Sequence, residues 1–162
     1  YESSLHKSSS DAHIKTWDEI SSIVRALKNK NKKIIFTNGC FDILHSGHVK
    51  YLEKAKGFGD TLILGLNSDD SVQRLKGENR PINSQAERGY ILASLEVIDY
   101  VVIFDDDTPL DLIKLIQPDV LVKGGDYEGQ QVVGEDIAKE LKLVKFIDGN
   151  SSTKIIEKIM KL

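Results

Sequence analysis

"KKIIFTNGCFDILHSGHVKYL", Lys32 to Leu52, changes its period in the middle. Ile34, Ile35 and Phe36 belong to a short apolar run that ends at Gly39. The run is too short for a helix and reads as a buried strand. From Gly47 to Lys56 the apolar spacing is helical. Between the two lie His45, Ser46, Gly47 and His48, so two of the chain's four histidines stand where a strand gives way to a helix. A helix N-terminus offers free N–H groups and partial positive charge, which suit a phosphate. Two imidazoles add two donors, Gly47 leaves the space between them open, and Gly39 lets backbone approach a ligand. The stretch reads as a polyphosphate pocket, although neither G-x-x-x-x-G-K-[ST] nor G-x-G-x-x-G occurs in the chain. As metal ligands, H-x-x-H supplies only two groups and lacks the Glu of H-E-x-x-H. Taken alone, the pair could also be incidental polar residues at a helix start.

The same alternation continues outward. "TWDEISSIVRALKNK" opens with Thr16 and Glu19 as a capping box and places Ile20, Ile23, Val24 and Leu27 at helical spacing. "TLILGLNSD", "YVVIF", "DVLVKGGD" and "LKLVKFI" read as four more buried strands. "SQAERGYILASLE" starts on a second capping box, Ser84 and Glu87. In "TPLDLIKLI" Thr108 is the expected cap and Pro109 the first helical residue. A short helix over Ser152 to Met160 closes the chain. The expected order is β-α-β-α-β-α-β-α-β-α. Fully apolar strands between amphipathic helices imply a parallel sheet covered on both faces, with right-handed crossovers. Ligands then bind beyond the carboxyl ends of the strands, at the switch in strand order.

Composition bounds the possibilities. The chain has 162 residues, enough for one domain with a real core, 40% of them hydrophobic and 29% charged. A net charge of −3 gives no global basic field, so nucleic acid is not an expected partner. Cys40 is the single cysteine, which excludes an internal disulfide and a four-cysteine zinc site and fits a reducing cytoplasm. No apolar run approaches membrane length, and no signal peptide is visible. Residues 1–15, with five serines in the first ten, read as a flexible linker to a domain over 16–162, as if cut from a longer polypeptide.

The loops that follow the strands hold the remaining candidates. "NSDDSVQRLKGENRP" contains Arg74, Lys76 and Arg80, a basic cluster in an acidic chain. "KGGDYEGQQ" offers Lys123, Gly124, Gly125 and Asp126. "DGNSST" places Gly149, Asn150, Ser151, Ser152 and Thr153 at another helix N-terminus, where serines serve capping and phosphate binding equally well. Asp105 to Asp107 read as acidic loop and helix-start charge rather than as a metal site.

Together these residues resemble a known family. "NGCFDILHSGH" is similar to the G-x-F-D-x-x-H-x-G-H signature of the cytidylyltransferase-like nucleotidyltransferases, and "SSTKIIEKI" to their C-terminal serine/threonine motif. "LNSDDSVQRLKGENRPIN", "DTPLDLI" and "PDVLVKGGDY" narrow the likeness to the D-glycero-β-D-manno-heptose 1-phosphate adenylyltransferases, found as the C-terminal domain of bifunctional heptose kinase/adenylyltransferases. The likeness spans about residues 32 to 160. Two departures stand out: Cys40 where relatives often have Thr, and "NSST" in place of a run with two threonines.

The resemblance implies a doubly wound, Rossmann-like sheet of order 3-2-1-4-5. It implies transfer of AMP from ATP to heptose 1-phosphate with Mg²⁺, in the service of lipopolysaccharide, by a domain joined to an N-terminal sugar kinase. A cytidylyltransferase acting on glycerol 3-phosphate or another small alcohol phosphate is the alternative. By position, His45, His48 and Lys76 would be catalytic. Thr37, Asn38, Gly39, Cys40, Phe41, Asp42, Arg88, Lys123, Gly124, Asp126, Ser151, Ser152 and Thr153 would hold ATP. Asn67, Arg74 and Arg80 would face the sugar phosphate, and Asp42 would be the protein contact of Mg²⁺. The oligomeric state stays open, a homo-oligomer among the options.

Overall fold

The computed structural model describes residues 10–146 and 151–162. Helix α1 (Trp17–Asn29) precedes strand β1 (Ile34–Gly39). Then come α2 (Ser46–Lys56), β2 (Thr61–Asn67), α3 (Asp69–Lys76), α4 (Gln85–Ala93), β3 (Tyr100–Phe104), α5 (Leu110–Ile116), β4 (Val120–Gly124), β5 (Glu140–Val144) and α6 (Ser152–Met160). The five strands form one sheet in the order β3-β2-β1-β4-β5, and every named pairing is parallel. This is the doubly wound order expected from the resemblance. The order reverses between β1 and β4, and a crevice opens there at the carboxyl ends.

Alternation along each strand builds two cores. Ile35, Leu62, Leu64, Val101 and Val122 point to one face, against Leu52 and Ala55 of α2 and Leu92 of α4. Ile34, Phe36, Ile63, Val102 and Leu121 point to the other, against Ile20 and Val24 of α1 and Leu112, Ile113 and Ile116 of α5. Adjacent strand residues face opposite ways, so an unbroken apolar run is what a sheet covered on both sides requires. The capping box on α1 is complete: Glu19 N–H donates to Thr16 Oγ1 at 3.1 Å, and Thr16 N–H donates to Glu19 Oε1 at 3.0 Å.

Several expectations need correction. The stretch after β2 holds α3, a helix that the sequence pattern reads as loop. It buries Val72 but leaves Leu75 52% exposed, so it has almost no apolar stripe to betray it. Its signals are polar: the Ser68 side chain accepts from Ser71 N–H at 3.1 Å, Asp69 and Asp70 fill the first turn, and Arg74 and Lys76 the last. The connection from β4 to β5 carries no α-helix, only a 3₁₀ turn over Gly125–Tyr127 and further turns. One of these passes through Gly134 at φ +88°, where a Cβ would meet the Ile113 side chain at 2.6 Å. Helix α5 begins at Leu110, with Pro109 as its cap residue and no side-chain capping bond from Thr108. Ser84 forms one half of its expected box, accepting from Glu87 N–H at 3.3 Å.

Order also reaches further toward the N-terminus than composition implies. Residues 11–13 form a 3₁₀ turn, Ile14 bridges Val101, and Lys15 N–H donates to Val101 O at 2.9 Å. The rest of the expected linker, residues 1–9, lies outside the described residues, as do Gly149 and Asn150. Among the described residues no helix is long and apolar enough to cross a membrane.

Candidate active site

The carboxyl ends of β1, β2 and β4 open into a cavity of about 490 Å³. Thirteen of the predicted site residues line it: Asn38, Gly39, Cys40, Phe41, Asp42, His48, Asn67, Lys76, Arg80, Lys123, Gly124, Asp126 and Ser152. A larger hollow of about 660 Å³ lies at the opposite ends of the strands. Three of its four lysines are already engaged, Lys28 with Gln117 O, Lys33 with Glu140 and Lys139 with Asp119. The topological rule favours the first.

The loop after β1 is built under strain. Phe41 (φ +48°) and Ile43 (φ +53°) both adopt left-handed backbone. Such a conformation costs a non-glycine residue on the order of 1–2 kcal/mol and persists only where surroundings enforce it. The twist buries the Phe41 ring and sets it 5.4 Å, centroid to centroid, from the His48 ring. Gly39 serves this packing: a Cβ there would meet the Phe41 ring at 2.8 Å.

The histidines form their own capping box. Gly47 N–H donates to His45 Nδ1 at 3.1 Å, and His45 N–H donates to His48 Nδ1 at 3.3 Å. An Nδ1 that accepts leaves the proton of a neutral imidazole on Nε2, so each ring keeps one N–H donor for a ligand. The rings stack with centroids 3.9 Å apart. Burial first, then His45 and Lys76, push His48 down to about 4, and burial lowers His45. Both are therefore neutral donors at neutral pH. His45 is not part of the cavity lining; it stacks on His48, which is.

Lys123 is 8% exposed, its ammonium bonded to Asn38 Oδ1 and 5.6 Å from the Tyr127 ring centroid. Burial brings it down to about 8, against the opposing pull of Asp126. Gly124 is tightly enclosed: a Cβ would meet Asp126 Oδ1 at 2.6 Å and the Phe146 ring at 2.8 Å. Burial pushes the Cys40 thiol up, against the pull of Lys76, Arg88 and Arg80. Cys40 is thus a protonated thiol rather than a nucleophile.

Other predicted residues stand apart from the cavity. Thr37 is fully buried below it, donating to Val122 O at 3.0 Å and bonded to Tyr51 Oη at 2.9 Å. Arg74 is exposed, pairing with Asp107 Oδ1 at 2.8 Å and donating to Asp105 O. Arg88 is 1% exposed beneath the loops. Ser151 caps α6 through Lys154 N–H at 3.0 Å, and Thr153 is exposed. Parts of the acidic run meet neighbours: Asp105 Oδ1 accepts from Ser68 Oγ, the backbone O of Asp106 from Ser71 Oγ, and Asp107 Oδ1 from Arg74 Nε. Among the described residues no group of three or more His, Cys, Asp or Glu could hold a metal ion.

Sequence reasoning missed Tyr51, Tyr127, Val132, Val133 and Phe146, which give one side of the cavity an aromatic and aliphatic wall. Tyr51 stacks on Phe146 at 4.7 Å. Its position three residues after His48 on the same helix was a readable signal, because residues three apart share a face.

A family model described as cytidylyltransferase-like matches residues 36–159. The chain belongs to the cytidylyltransferase-like family. It is thus a nucleotidyltransferase domain. It is 68% identical over 161 residues to a protein named "Bifunctional protein HldE" from Aliarcobacter butzleri, a match covering 99% of this chain and 34% of that one. The protein of the same name from Sulfurimonas denitrificans is 65% identical, with 98% and 33% covered. The chain therefore spans about a third of the length of these curated relatives. Among solved structures it is similar to a lipopolysaccharide core biosynthesis protein from Thermoplasma volcanium, with a TM-score of 0.58 and 26% identity over 74% of this chain and 99% of that one. The fold is shared with a pantoate-β-alanine ligase from Francisella tularensis, with a TM-score of 0.59 and 18% identity over 92% of this chain and 78% of that one.

Proposed function

We propose that this domain transfers AMP from ATP to D-glycero-β-D-manno-heptose 1-phosphate, releasing pyrophosphate and ADP-heptose. The observation that carries the reading is the pair of stacked, neutral imidazoles at the start of α2, placed at a switch-point cavity that Lys76, Arg80 and Lys123 also line. The sugar is supported by the "QRLKGENRPIN" and "LVKGGDY" stretches, by likeness to proteins named HldE, and by a structural relative named for lipopolysaccharide core biosynthesis. The relatives' greater length supports a domain joined to an N-terminal sugar kinase.

A phosphate oxygen of the sugar would attack the α-phosphorus of ATP in line. The bond from that phosphorus to the bridging oxygen would break, and pyrophosphate would leave with the electron pair. The nucleophile is already an anion, so no general base is needed. The barrier is the meeting of two polyanions, and the protein's part is positioning and preorganised charge. The Nε2–H groups of His45 and His48 would donate to oxygens on which charge grows. Lys76 and Arg80 would stand over the sugar phosphate and α-phosphate, and Lys123 beside the nucleotide. Both oxygens of Asp42 already accept bonds from Arg80, Ile82 and Asn83. Mg²⁺ would therefore be held chiefly through substrate phosphates, supplying charge neutralisation there.

The test is pyrophosphate release with ATP and heptose 1-phosphate, set beside CTP with the same sugar and CTP with glycerol 3-phosphate. Turnover confined to the first pair is expected. Equal or faster turnover with CTP and glycerol 3-phosphate would replace this reading with the cytidylyltransferase one.

A further inference from the structure

The backbone of Asn83 is held on both sides by buried charged side chains. Its N–H donates to Asp42 Oδ1 at 3.0 Å, and its C=O accepts from Arg88 Nε at 2.9 Å. The preceding Ile82 N–H donates to Asp42 Oδ2 at 2.6 Å, and Arg80 Nε reaches the same oxygen at 3.3 Å. Asp42 is 2% exposed and Arg88 1%.

A buried charge is tolerated where its hydrogen-bonding capacity is met. For Arg88 three of the four remaining donors go to Cys40 O at 2.8 Å, Asn67 O at 2.9 Å and Asp69 Oδ1 at 2.8 Å. One guanidinium thus joins the loop after β1, the end of β2, the start of α3 and the segment before α4. Asp42 adds a fifth element, because its backbone O accepts from Ser152 Oγ at the start of α6. The loops after β1 and β2, the segment before α4 and the start of α6 are each tied to one of these two residues.

We infer that Asp42 and Arg88 are positioning residues that clamp the segment 80–83 to the histidine loop, and that neither ligates metal or nucleotide. The inference rests on the adenylyltransferase reading for its kinetic arm only. The clamp sets where Arg80 stands relative to the histidine loop. Metal ligation by Asp42 would compete with the two backbone donors and the guanidinium from which its carboxylate already accepts. Four of the five N–H donors of Arg88 are committed to three carbonyls and a carboxylate, and the side chain is buried and absent from the cavity lining.

The experiment combines hydrogen exchange with kinetics on wild type, Asp42→Asn, Asp42→Ala and Arg88→Lys. Asparagine keeps one acceptor oxygen and the shape, alanine keeps neither, and lysine keeps the charge without the fork. The amides of Ile82 and Asn83 should exchange faster in the order wild type, Asn, Ala. Loss of alignment should lower kcat by on the order of 10²-fold in Asp42→Ala, with less change in KM for ATP. The Mg²⁺ concentration for half-maximal rate should stay where it is in Asp42→Asn. Arg88→Lys should show the same loss of protection at Asn83 and decides the matter if Asp42→Ala does not fold. Retained protection at residues 82 and 83 in both Asp42→Asn and Arg88→Lys would overturn the clamp. So would an Asp42→Asn enzyme restored to full rate by excess Mg²⁺. A wild type inactive with heptose 1-phosphate would end the substrate reading, while the exchange arm would still decide the clamp.

Discussion

The rings of His45 and His48 stack with centroids 3.9 Å apart, each with its Nδ1 tied to a backbone N–H of the same helix start. Neither ring can turn without losing a capping bond, so the two free donors are held before any ligand arrives. That is the preorganisation on which electrostatic stabilisation of a transition state depends.

Replacing either histidine with alanine should therefore lower kcat by on the order of 10²–10³, or roughly 2.7–4 kcal/mol, with a smaller change in ATP affinity. The ground-state triphosphate keeps the helix N-terminus and the lysines. The double variant should lose less than the sum, because the pair acts as a unit. The variants should remain folded, since the core lies in the sheet and its covering helices. A His48→Ala enzyme with normal kcat and only a raised KM would show that the pair merely binds substrate.

Titration gives an independent check. Burial holds His48 down to about 4 against an ordinary value of 6.5. Nitrogen-15 spectra of the free protein should show its ring neutral at pH 6, with the proton on Nε2. The sign for stability follows. The unfolded chain takes up a proton near 6.5 that the folded chain refuses, so this contribution is whole above pH 6.5 and is lost as pH falls towards 4. A His48 that titrates near 6.5 in the folded protein would remove the neutral-donor argument.

Much of this was legible in the sequence, and the reasons are specific. Runs such as Ile34 to Phe36 and Leu62 to Leu64 are apolar on successive residues, which only a sheet covered on both faces explains. The ligand loops followed from the strand ends. What stayed hidden depends on burial and on distant partners. Helix α3 has one buried aliphatic residue and announces itself only by caps and charge order. Asp42 and Arg88 look like ligands in a chain read linearly, and only their packing shows that both are buried and bonded to several neighbouring loops. Phe146 reaches the cavity wall because β5 pairs with β4, a neighbour that no local pattern names.

The segment from Lys76 to Pro81 should close over bound substrates. Residues 75 to 79 are exposed, and at Gly77 (φ +109°) nothing lies within 4 Å of where a Cβ would be. Asp42 anchors only the far end of the segment, at Arg80. Polyanions in the cavity would draw Lys76 inward and exclude water from the reacting phosphates. Tryptic cleavage after Lys76 should slow markedly with ATP and sugar phosphate together. Equal cleavage rates with and without them would show that the segment stays open.

Lys123 should impose an alkaline limit on nucleotide capture. Its ammonium is buried against Asn38 and Tyr127, and desolvation brings it down to about 8. Below that pH it is a cation facing a polyanion; above it the amine is neutral and the attraction is lost. Values of kcat/KM for ATP should therefore fall on the alkaline side with an apparent pKa near 8, the free-enzyme value. Bound phosphate favours the charged form, so the limb should lie at higher pH in kcat than in kcat/KM. Lys123→Arg should abolish the limb in this range, because a guanidinium keeps its charge, whatever the arginine costs in fit. Lys123→Met should lower kcat/KM near neutrality and flatten its dependence. A wild-type kcat/KM that is level from about pH 7 to pH 9.5 would mean that Lys123 takes no part in holding the nucleotide's charge.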